Sequence, residues 1–287
     1  MKNNIFDLSG QVALVAGGSS GLGLQFARAM ANAGANVALV ARRMDLLEEN
    51  AKAISAEFGV EVYPHRIDLR DSESVTACVK DVVAHFGKID ILVNAGGVGG
   101  SGDPALMTDE QWYYVVDTDL TGLFRLCREV ARLSMIPNNY GRIVNVSSMH
   151  GFVSRKHVWT APYCAAKGGV HMMTKALAND WGKYDITVNC IAPGYFPSEL
   201  TAPYIDSEAF TQLHRDRCPK GRHGETGEMD GLCVYFASKS CSYTTGQIVA
   251  VDGGWTCICP RAHKRKEIIC LQLRSSRAGP VYSSGLS

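Results

Sequence analysis

The sequence GRIVNVSSMHGFVSRKHVWTAPYCAAKGGV, residues 141–170, decides the fold that we predict for this chain. Arg142 to Val146 is short, apolar and rich in β-branched residues, which predicts a buried strand. A polar loop follows, and Tyr163 and Lys167 then stand four residues apart at the start of a predicted helix. Residues at that spacing share one helix face, so we expect the two side chains to be neighbours.

This tyrosine–lysine pair suits acid–base chemistry. A free tyrosine titrates at about pH 10 and is a poor base at neutral pH. An ammonium ~4 Å away would favour the phenolate by about 4 kcal/mol at an effective dielectric constant of ~20. A serine hydroxyl at the end of the preceding strand could then hold the oxygen of a substrate. Taken alone, the same spacing also describes a solvated pair on an exposed helix.

Composition describes a globular chain without specialised segments. The 287 residues are 46% hydrophobic and 20% charged, and the net charge is +1, which suits one large α/β domain or two small ones. We find no apolar run that could span a bilayer, and MKNNIFDLSG lacks a signal-peptide core. The ten cysteines are scattered without a CxxC pair. We therefore expect a cytoplasmic, reduced chain with no metal site, because only Cys257 and Cys259 lie close in sequence.

The first strand leads into a glycine-rich turn. Gln11 to Ala16 is an apolar strand, and a helical pattern runs from Leu22 to about Ala33. Between them stands GGSSGLG, residues 17–23. Strand, glycine turn and helix form the context that a dinucleotide site needs, since the backbone approaches the pyrophosphate and the helix N-terminus faces its charge.

The second strand predicts which dinucleotide binds. Arg42 and Arg43 directly follow the predicted strand Asn36 to Ala41, and no acidic residue stands at the end of that strand. A carboxylate there would hold a ribose 2′-hydroxyl, whereas arginine accommodates a 2′-phosphate. NADP is therefore favoured as the cofactor, with NAD possible. The alternative is that both arginines begin the next helix and are solvated.

Strands and helices alternate through the rest of the chain. Strands are predicted over 61–67, 89–93, 186–191 and 247–251, and helices over 71–85, 109–135 and 228–238. Asp68 ends the third strand, where its side chain could accept a hydrogen bond from an adenine amino group. Residues 201–226 are irregular and are expected to form a mobile substrate lid. The alternation predicts a single α/β domain over 1–255, with a Rossmann-type doubly wound parallel sheet of about seven strands.

A basic tail follows this domain. Residues 256–287 hold six Lys or Arg against the single Glu267, so the tail carries +5 and the rest of the chain −4. The acidic body argues against a nucleic-acid partner. The tail ends in SSRAGPVYSSGLS, which lacks sustained periodicity, and we expect it to be a disordered or non-native addition.

Several motifs occur together in a known order. AGGSSGLG, NAGG, YCAAK after two serines, and PGYFPS follow one another as in the short-chain dehydrogenase/reductase family, which residues 8–255 resemble. The pattern is most similar to gluconate 5-dehydrogenase-type members. Two positions depart from the family: Ala16 replaces a threonine, and Asp119 stands where a catalytic asparagine is usual.

The resemblance implies roles for individual residues. It makes Ser148, Tyr163 and Lys167 the catalytic residues, with Asp119 expected to act through its backbone carbonyl in a proton relay. Together with the residues discussed above, it implies a cofactor site made of Gly17, Ser19, Ser20, Gly21, Leu22, Gly23, Arg42, Arg43, Asp68, Leu69, Asn94, Ala95, Gly96, Tyr163, Lys167, Pro193, Gly194, Phe196 and Ser198.

The implied activity is NADP-dependent hydride transfer to or from a secondary alcohol or ketone, of a sugar acid or polyol. Arg155, Lys156, His157 and His150 precede Tyr163 and could supply a cation for a sugar-acid carboxylate, or could simply form a solvated basic loop. One alternative is a reductase of 3-oxoacyl carrier protein or of another hydrophobic carbonyl compound. Another is a non-catalytic dinucleotide-binding sensor. The resemblance also implies a homotetramer that binds a small-molecule substrate and no membrane.

Overall fold

A parallel sheet carries the fold, as the alternating pattern predicts. In the computed structural model, residues 4–156 and 158–257 are described, and among them seven strands pair in the order β3-β2-β1-β4-β5-β6-β7. The strands are β1 Val12–Ala16, β2 Asn36–Ala41, β3 Val62–Arg66, β4 Ile91–Asn94, β5 Gly141–Val146, β6 Ile186–Pro193 and β7 Ile248–Val251. The helices are α1 Gly21–Asn32, α2 Met44–Phe58, α3 Ser72–Phe86, α4 Asp109–Val116, α5 Leu123–Val130, α6 Ala161–Trp181, α7 Glu208–Arg217 and α8 Asp230–Ala237. The predicted fold class is confirmed.

Burial follows the position of each strand in the sheet. Every residue of β1, β4, β5 and β6 is buried, because helices cover both faces of the sheet. β3 lies at one edge and contains Pro64, which has no N–H to donate to a further strand. Two apolar clusters fill the space between the sheet and the helices on its two sides.

The order of the strands places the ligand crevice. β1 lies between β2 and β4, and the chain runs outward in opposite directions from this point. In open parallel sheets the crevice outside such a switch point, at the carboxyl ends of the strands, is where ligands bind. The glycine turn after β1 and the turn after β4 both lie there.

Two predicted segments differ from the structure. The helix predicted over 109–135 follows a continuous path, but Asp117–Gly122 and Ala131–Met135 are π-helical segments within it. The irregular segment at 201–226 contains α7, whose N-cap Ser207 accepts a hydrogen bond from the Phe210 N–H. Only Phe210 and His214 of α7 are buried, which explains why its apolar periodicity was too weak to predict a helix.

The described chain ends in a short turn. Trp255–Cys257 forms a 3₁₀ turn, and the hydroxyl of Thr256 donates to Asp252 at 2.6 Å. The fold therefore continues two residues past the predicted boundary at 255. The rest of the predicted tail lies outside the described residues, as does His157.

No helix in the described part of the chain is long and apolar enough to span a membrane. Among the same residues, no group of three or more His, Cys, Asp or Glu side chains is arranged to hold a metal ion.

Candidate active site

The glycine turn after β1 is shaped for a close backbone approach. Gly17 has φ of 78°, and a Cβ there would lie 2.8 Å from the Ala95 carbonyl oxygen. A Cβ on Gly23 would lie 2.3 Å from the Gly17 carbonyl oxygen, so α1 packs tightly on the turn. The first turn of α1 holds no acid, and Ser20 makes no side-chain cap. The N–H groups of this helix end therefore remain available to an anionic group.

A cleft of about 370 Å³, which we call the glycine-loop cleft, opens at this turn. Most of the predicted cofactor residues line it, namely Gly17, Ser19, Ser20, Gly21, Leu22, Gly23, Arg42, Arg43, Asp68, Leu69, Ala95, Gly96, Tyr163, Lys167 and Ser198. Asp119 lines it as well. These glycines and the uncapped helix end fit the pyrophosphate of a dinucleotide.

A second cavity of about 700 Å³ lies beside the cleft and is named here the Tyr195 cavity. Ser148, Pro193, Gly194 and Phe196 line it. Five residues border both spaces: Leu22, Ser147, Tyr163, Ser198 and Leu200. Tyr163 therefore stands at the junction between the glycine-loop cleft and the Tyr195 cavity.

One predicted cofactor residue lies elsewhere. The side chain of Asn94 is fully buried and donates to the Leu123 carbonyl oxygen at 2.9 Å. Asn94 does not line the glycine-loop cleft, because β4 directs this side chain into the interior between the sheet and α5. Its Oδ1 has no hydrogen-bond partner among the described residues. The structure thus gives Asn94 an internal position, unlike Ala95 and Gly96 next to it.

Of the two predicted arginines, Arg43 makes the contacts at the glycine turn. Its guanidinium donates to Ser19 Oγ at 3.0 Å and to Ser20 Oγ at 2.7 Å. It also forms a bidentate ion pair with Glu199, at 2.9 and 3.1 Å. Arg42 is exposed on the rim of the cleft. Arg43 is the N-cap of α2, so it neither lies inside that helix nor extends freely into solvent.

Sequence analysis missed Glu199 and Arg70, which also border the cleft. Arg70 holds the Asp68 carboxylate with contacts of 3.2 and 2.9 Å, so this predicted adenine acceptor is already paired. The Arg70 pair holds the pKa of Asp68 below its usual range. The sequence contained one signal, since Arg70 follows the predicted site residues Asp68 and Leu69 directly.

The predicted catalytic serine, Ser148, follows the end of β5. Ser148 Oγ accepts a hydrogen bond from the His150 N–H at 3.1 Å, which caps a short 3₁₀ turn. The neighbouring Ser147 hydroxyl lies 2.7 Å from His171 Nε2. Burial lowers the pKa of His171 to about 4, so the ring is neutral. Ser147 borders both spaces, but its hydroxyl is engaged by His171, whereas Ser148 lines the Tyr195 cavity without a contact to His171.

Lys167 has a charged partner that the sequence analysis did not foresee. Its Nζ lies 3.0 Å from Asp119 Oδ2, and both side chains are almost completely buried. The other oxygen, Oδ1, accepts a hydrogen bond from the Val98 N–H at 2.7 Å. Burial alone would lower the pKa of Lys167, but the Asp119 carboxylate and Tyr163 raise it above its ordinary value. The lysine is therefore held as the ammonium.

The expected lowering of the tyrosine pKa is wrong for this structure. Lys167 Nζ lies 5.4 Å from the centre of the Tyr163 ring. Burial raises the pKa of Tyr163 by more than Lys167 lowers it, and the charge of Asp119 raises it further. The sequence places one ammonium near one phenol. It shows neither the burial of the site nor the carboxylate that offsets the ammonium.

Aromatic side chains form one wall of the Tyr195 cavity. Tyr195, Tyr204 and Phe210 line it, and the Tyr195 ring meets the Phe210 ring at 4.8 Å between centres. Tyr195 OH lies 3.4 Å from His150 Nε2, and the His150 ring centre is 6.2 Å from that of Tyr163. Tyr195 belongs to the PGYFPS motif, but the other two come from the segment whose structure the sequence did not predict.

This chain is similar in sequence and in structure to several known proteins. The family model described as enoyl-(acyl carrier protein) reductase matches residues 16–256. A gluconate 5-dehydrogenase of Gluconobacter oxydans is 36% identical, over 88% of this chain and 97% of that protein. The solved structure of a gluconate 5-dehydrogenase from Burkholderia cenocepacia, in complex with NADP and tartrate, has a TM-score of 0.84 at 34% identity and covers 89% of this chain and 98% of its own.

A further solved structure widens the range of related activities. An actinorhodin polyketide ketoreductase variant with NADPH has a TM-score of 0.79 at 35% identity, covering 85% of this chain and 97% of its own. The NADP and NADPH in these two structures agree with the cofactor predicted from Arg42 and Arg43.

Proposed function

Because the chain belongs to the short-chain dehydrogenase/reductase family, and is therefore an oxidoreductase, we propose that it is an NADP-dependent dehydrogenase of sugar acids or polyols. It transfers hydride between the cofactor and a secondary alcohol or ketone. The observation that carries this proposal is the position of Tyr163 on the wall shared by the two spaces, with Lys167 on the cleft side and Ser148 on the cavity side.

Each residue of the site has a separate task. NADP supplies the hydride acceptor when it is bound, and the glycine turn and the N-terminus of α1 are suited to hold its pyrophosphate. Tyr163 takes the proton of the substrate hydroxyl in oxidation and returns it in reduction. Ser148 donates a hydrogen bond to the same oxygen as charge develops on it. Lys167 provides a fixed positive charge beside the phenol, and the Asp119 carboxylate partly offsets that charge.

The proposal is tested with purified protein, NADP or NAD, and three classes of compound. These are a sugar acid, the polyol of the same chain length, and a 3-oxoacyl thioester assayed in the direction of reduction. We expect NADP reduction with the sugar acid or the polyol, faster than with NAD. Absence of turnover with every compound and both cofactors would contradict the proposal.

A second candidate is a ketoreductase of acyl thioesters. The structural similarity to an actinorhodin polyketide ketoreductase and the aromatic wall of the Tyr195 cavity favour it. The assay with the 3-oxoacyl thioester decides between the two candidates. A sugar acid presents a polar surface to this aromatic wall, whereas the acyl chain of a thioester presents an apolar one.

We also propose a cytoplasmic homotetramer, as the family resemblance implies. α4 and α5 expose large aromatic side chains, namely Trp112, Tyr113, Tyr114 and Phe124. Exposed apolar residues at this density are suited to contact with another copy of the chain. Light scattering after size-exclusion chromatography tests this state; a monomeric mass would contradict it.

A further inference from the structure

We propose that Arg155 binds the carboxylate of the substrate, so that this enzyme acts on sugar acids and not on neutral polyols. The inference rests on the proposed function and specifies its substrate class. It comes from one observation, which is a half-buried guanidinium that borders the Tyr195 cavity and has no anionic partner among the described residues.

Arg155 is held in place by aromatic side chains. Its Nη1 donates to Tyr195 OH at 3.2 Å, and its central carbon lies 5.9 Å from the centre of the Phe210 ring. At this distance the Phe210 ring attracts the guanidinium through a cation–π contact, and the bond to Tyr195 is the one hydrogen bond that Arg155 makes among the described residues. Its other N–H groups are therefore free to bind a carboxylate, for which the guanidinium is suited because it can donate two parallel hydrogen bonds.

The surroundings of Arg155 supply no counter-charge. No Asp or Glu lies within 4.0 Å of it in the described part of the chain, and none of the described residues that line the Tyr195 cavity is acidic. Burial lowers the pKa of His150 and of His214, and the charge of Arg155 acts in the same direction on both. The two rings are therefore neutral at physiological pH. A partly desolvated cation with neutral neighbours gains most from an anionic ligand.

The two other described residues of the basic loop are less suited to this role. Lys156 is exposed and does not border the cavity. His150 borders the cavity, but its Nδ1 lies 3.2 Å from the Val153 carbonyl oxygen and its Nε2 faces Tyr195. Of the three residues that the structure describes, Arg155 is therefore the one that we propose, and the fourth, His157, lies outside the described residues.

Arg155 and Tyr163 border the same cavity. Both line the Tyr195 cavity, and His150 contacts Tyr195 on one side and the Tyr163 ring on another. A substrate in this cavity can therefore present its carboxylate to Arg155 and its reacting hydroxyl to Tyr163. A neutral polyol would leave the guanidinium without its ion pair.

The test compares Arg155→Gln with the parent protein on gluconate and on sorbitol, which has the same number of carbons and no carboxylate. We expect KM for gluconate to rise about 10- to 100-fold, the range for losing a charged hydrogen-bonded contact. kcat with gluconate should change much less, and the Kd of NADPH should remain unchanged. Lys156→Gln removes a neighbouring charge outside the cavity and should leave KM unchanged.

Direct binding separates this inference from the proposed function. Gluconate binding is measured by calorimetry with NADP present on two proteins, the Tyr163→Phe variant and the same variant with Arg155→Gln added. Weaker gluconate binding without Arg155 supports the inference even if turnover is absent. Equal affinity in the two proteins, or a parent enzyme that prefers sorbitol, would overturn it while leaving the dehydrogenase assignment intact.

Discussion

Lys167 Nζ lies 3.0 Å from Asp119 Oδ2 in the buried interior beside Tyr163. Gly97 packs on this pair, since a Cβ there would lie 3.2 Å from Asp119 Oδ2 and 3.3 Å from Lys167 Nζ. The ammonium thus acts on Tyr163 together with a carboxylate that opposes it. A neutral side chain at position 119, as the family usually has, would leave the charge of Lys167 uncompensated.

Asp119→Asn should move the pH dependence of alcohol oxidation to lower pH. The charge of Asp119 raises the pKa of Tyr163, so its removal lowers that pKa and the phenolate forms at lower pH. Because asparagine keeps the backbone carbonyl expected to act in the relay, kcat at the optimum should stay within about tenfold. Full pH profiles measure both effects. Asp117→Asn, in the same π-helical segment, is the control and should not shift the profile. A thousandfold loss at every pH would mean that the carboxylate itself is required.

Tyr163→Phe should abolish turnover, with a loss of at least about 10²-fold, while cofactor still binds. The ring and its packing are kept, and only the proton-transferring hydroxyl is removed. Steady-state rates and NADPH titration measure the two properties. Tyr113→Phe, on an exposed tyrosine of α4, is the matched control. Turnover within tenfold of the parent would remove Tyr163 from its catalytic role.

Arg43→Ala should weaken NADPH binding about 10- to 100-fold and NADH binding much less. Arg43 is the arginine that contacts the glycine turn, so a 2′-phosphate would receive its hydrogen bonds. Calorimetric titration with both cofactors measures the difference. Arg42→Ala tests the other predicted residue. If Arg42→Ala weakens NADPH binding relative to NADH binding more than Arg43→Ala does, the 2′-phosphate binds at Arg42, on the rim of the glycine-loop cleft.

Glu199→Gln should strengthen NADPH binding by up to about fivefold and leave NADH binding nearly unchanged. The Glu199 carboxylate holds Arg43 in a bidentate pair and so competes with a 2′-phosphate. Both side chains are largely exposed, and such pairs contribute only about 0–1 kcal/mol, which limits the gain. Glu57→Gln, which breaks the exposed Arg28–Glu57 pair elsewhere, is the control. Weaker NADPH binding in Glu199→Gln would show that the carboxylate supports the site.

Removing residues 258–287 should leave the melting temperature and the cofactor affinity almost unchanged. The fold holds Thr256 through its bonds to Asp252, so the cut is placed after Cys257. A control cut after Gly253 also removes Trp255, whose buried ring packs on Tyr195, and should destabilise the protein. A loss of about 10 °C or more from the first cut would show that the tail is an integral element.

Local patterns were sufficient to predict the scaffold and many of the residues that line the glycine-loop cleft. Buried parallel strands have continuous apolar runs. The turn after β1 is rich in glycine, a composition typical of a turn whose backbone must approach a pyrophosphate closely. The four-residue spacing of Tyr163 and Lys167 follows from helix geometry alone. These features depend on neighbours in sequence, so the sequence by itself determined the sheet, the glycine turn and the proximity of Tyr163 and Lys167.

Contacts between distant segments were decided only by the tertiary structure. Asp119 meets Lys167, Arg43 meets Glu199, and Arg155 meets Tyr195 across separations of 40 to 156 residues. Packing turned the side chain of Asn94 inward and gave α7 its form, although α7 has a weak apolar pattern. Burial raises the pKa of Tyr163, which is opposite to the direction expected from the sequence. Charge pairing and desolvation depend on which groups the fold brings together. A local sequence pattern does not specify contacts between residues that are far apart in the chain.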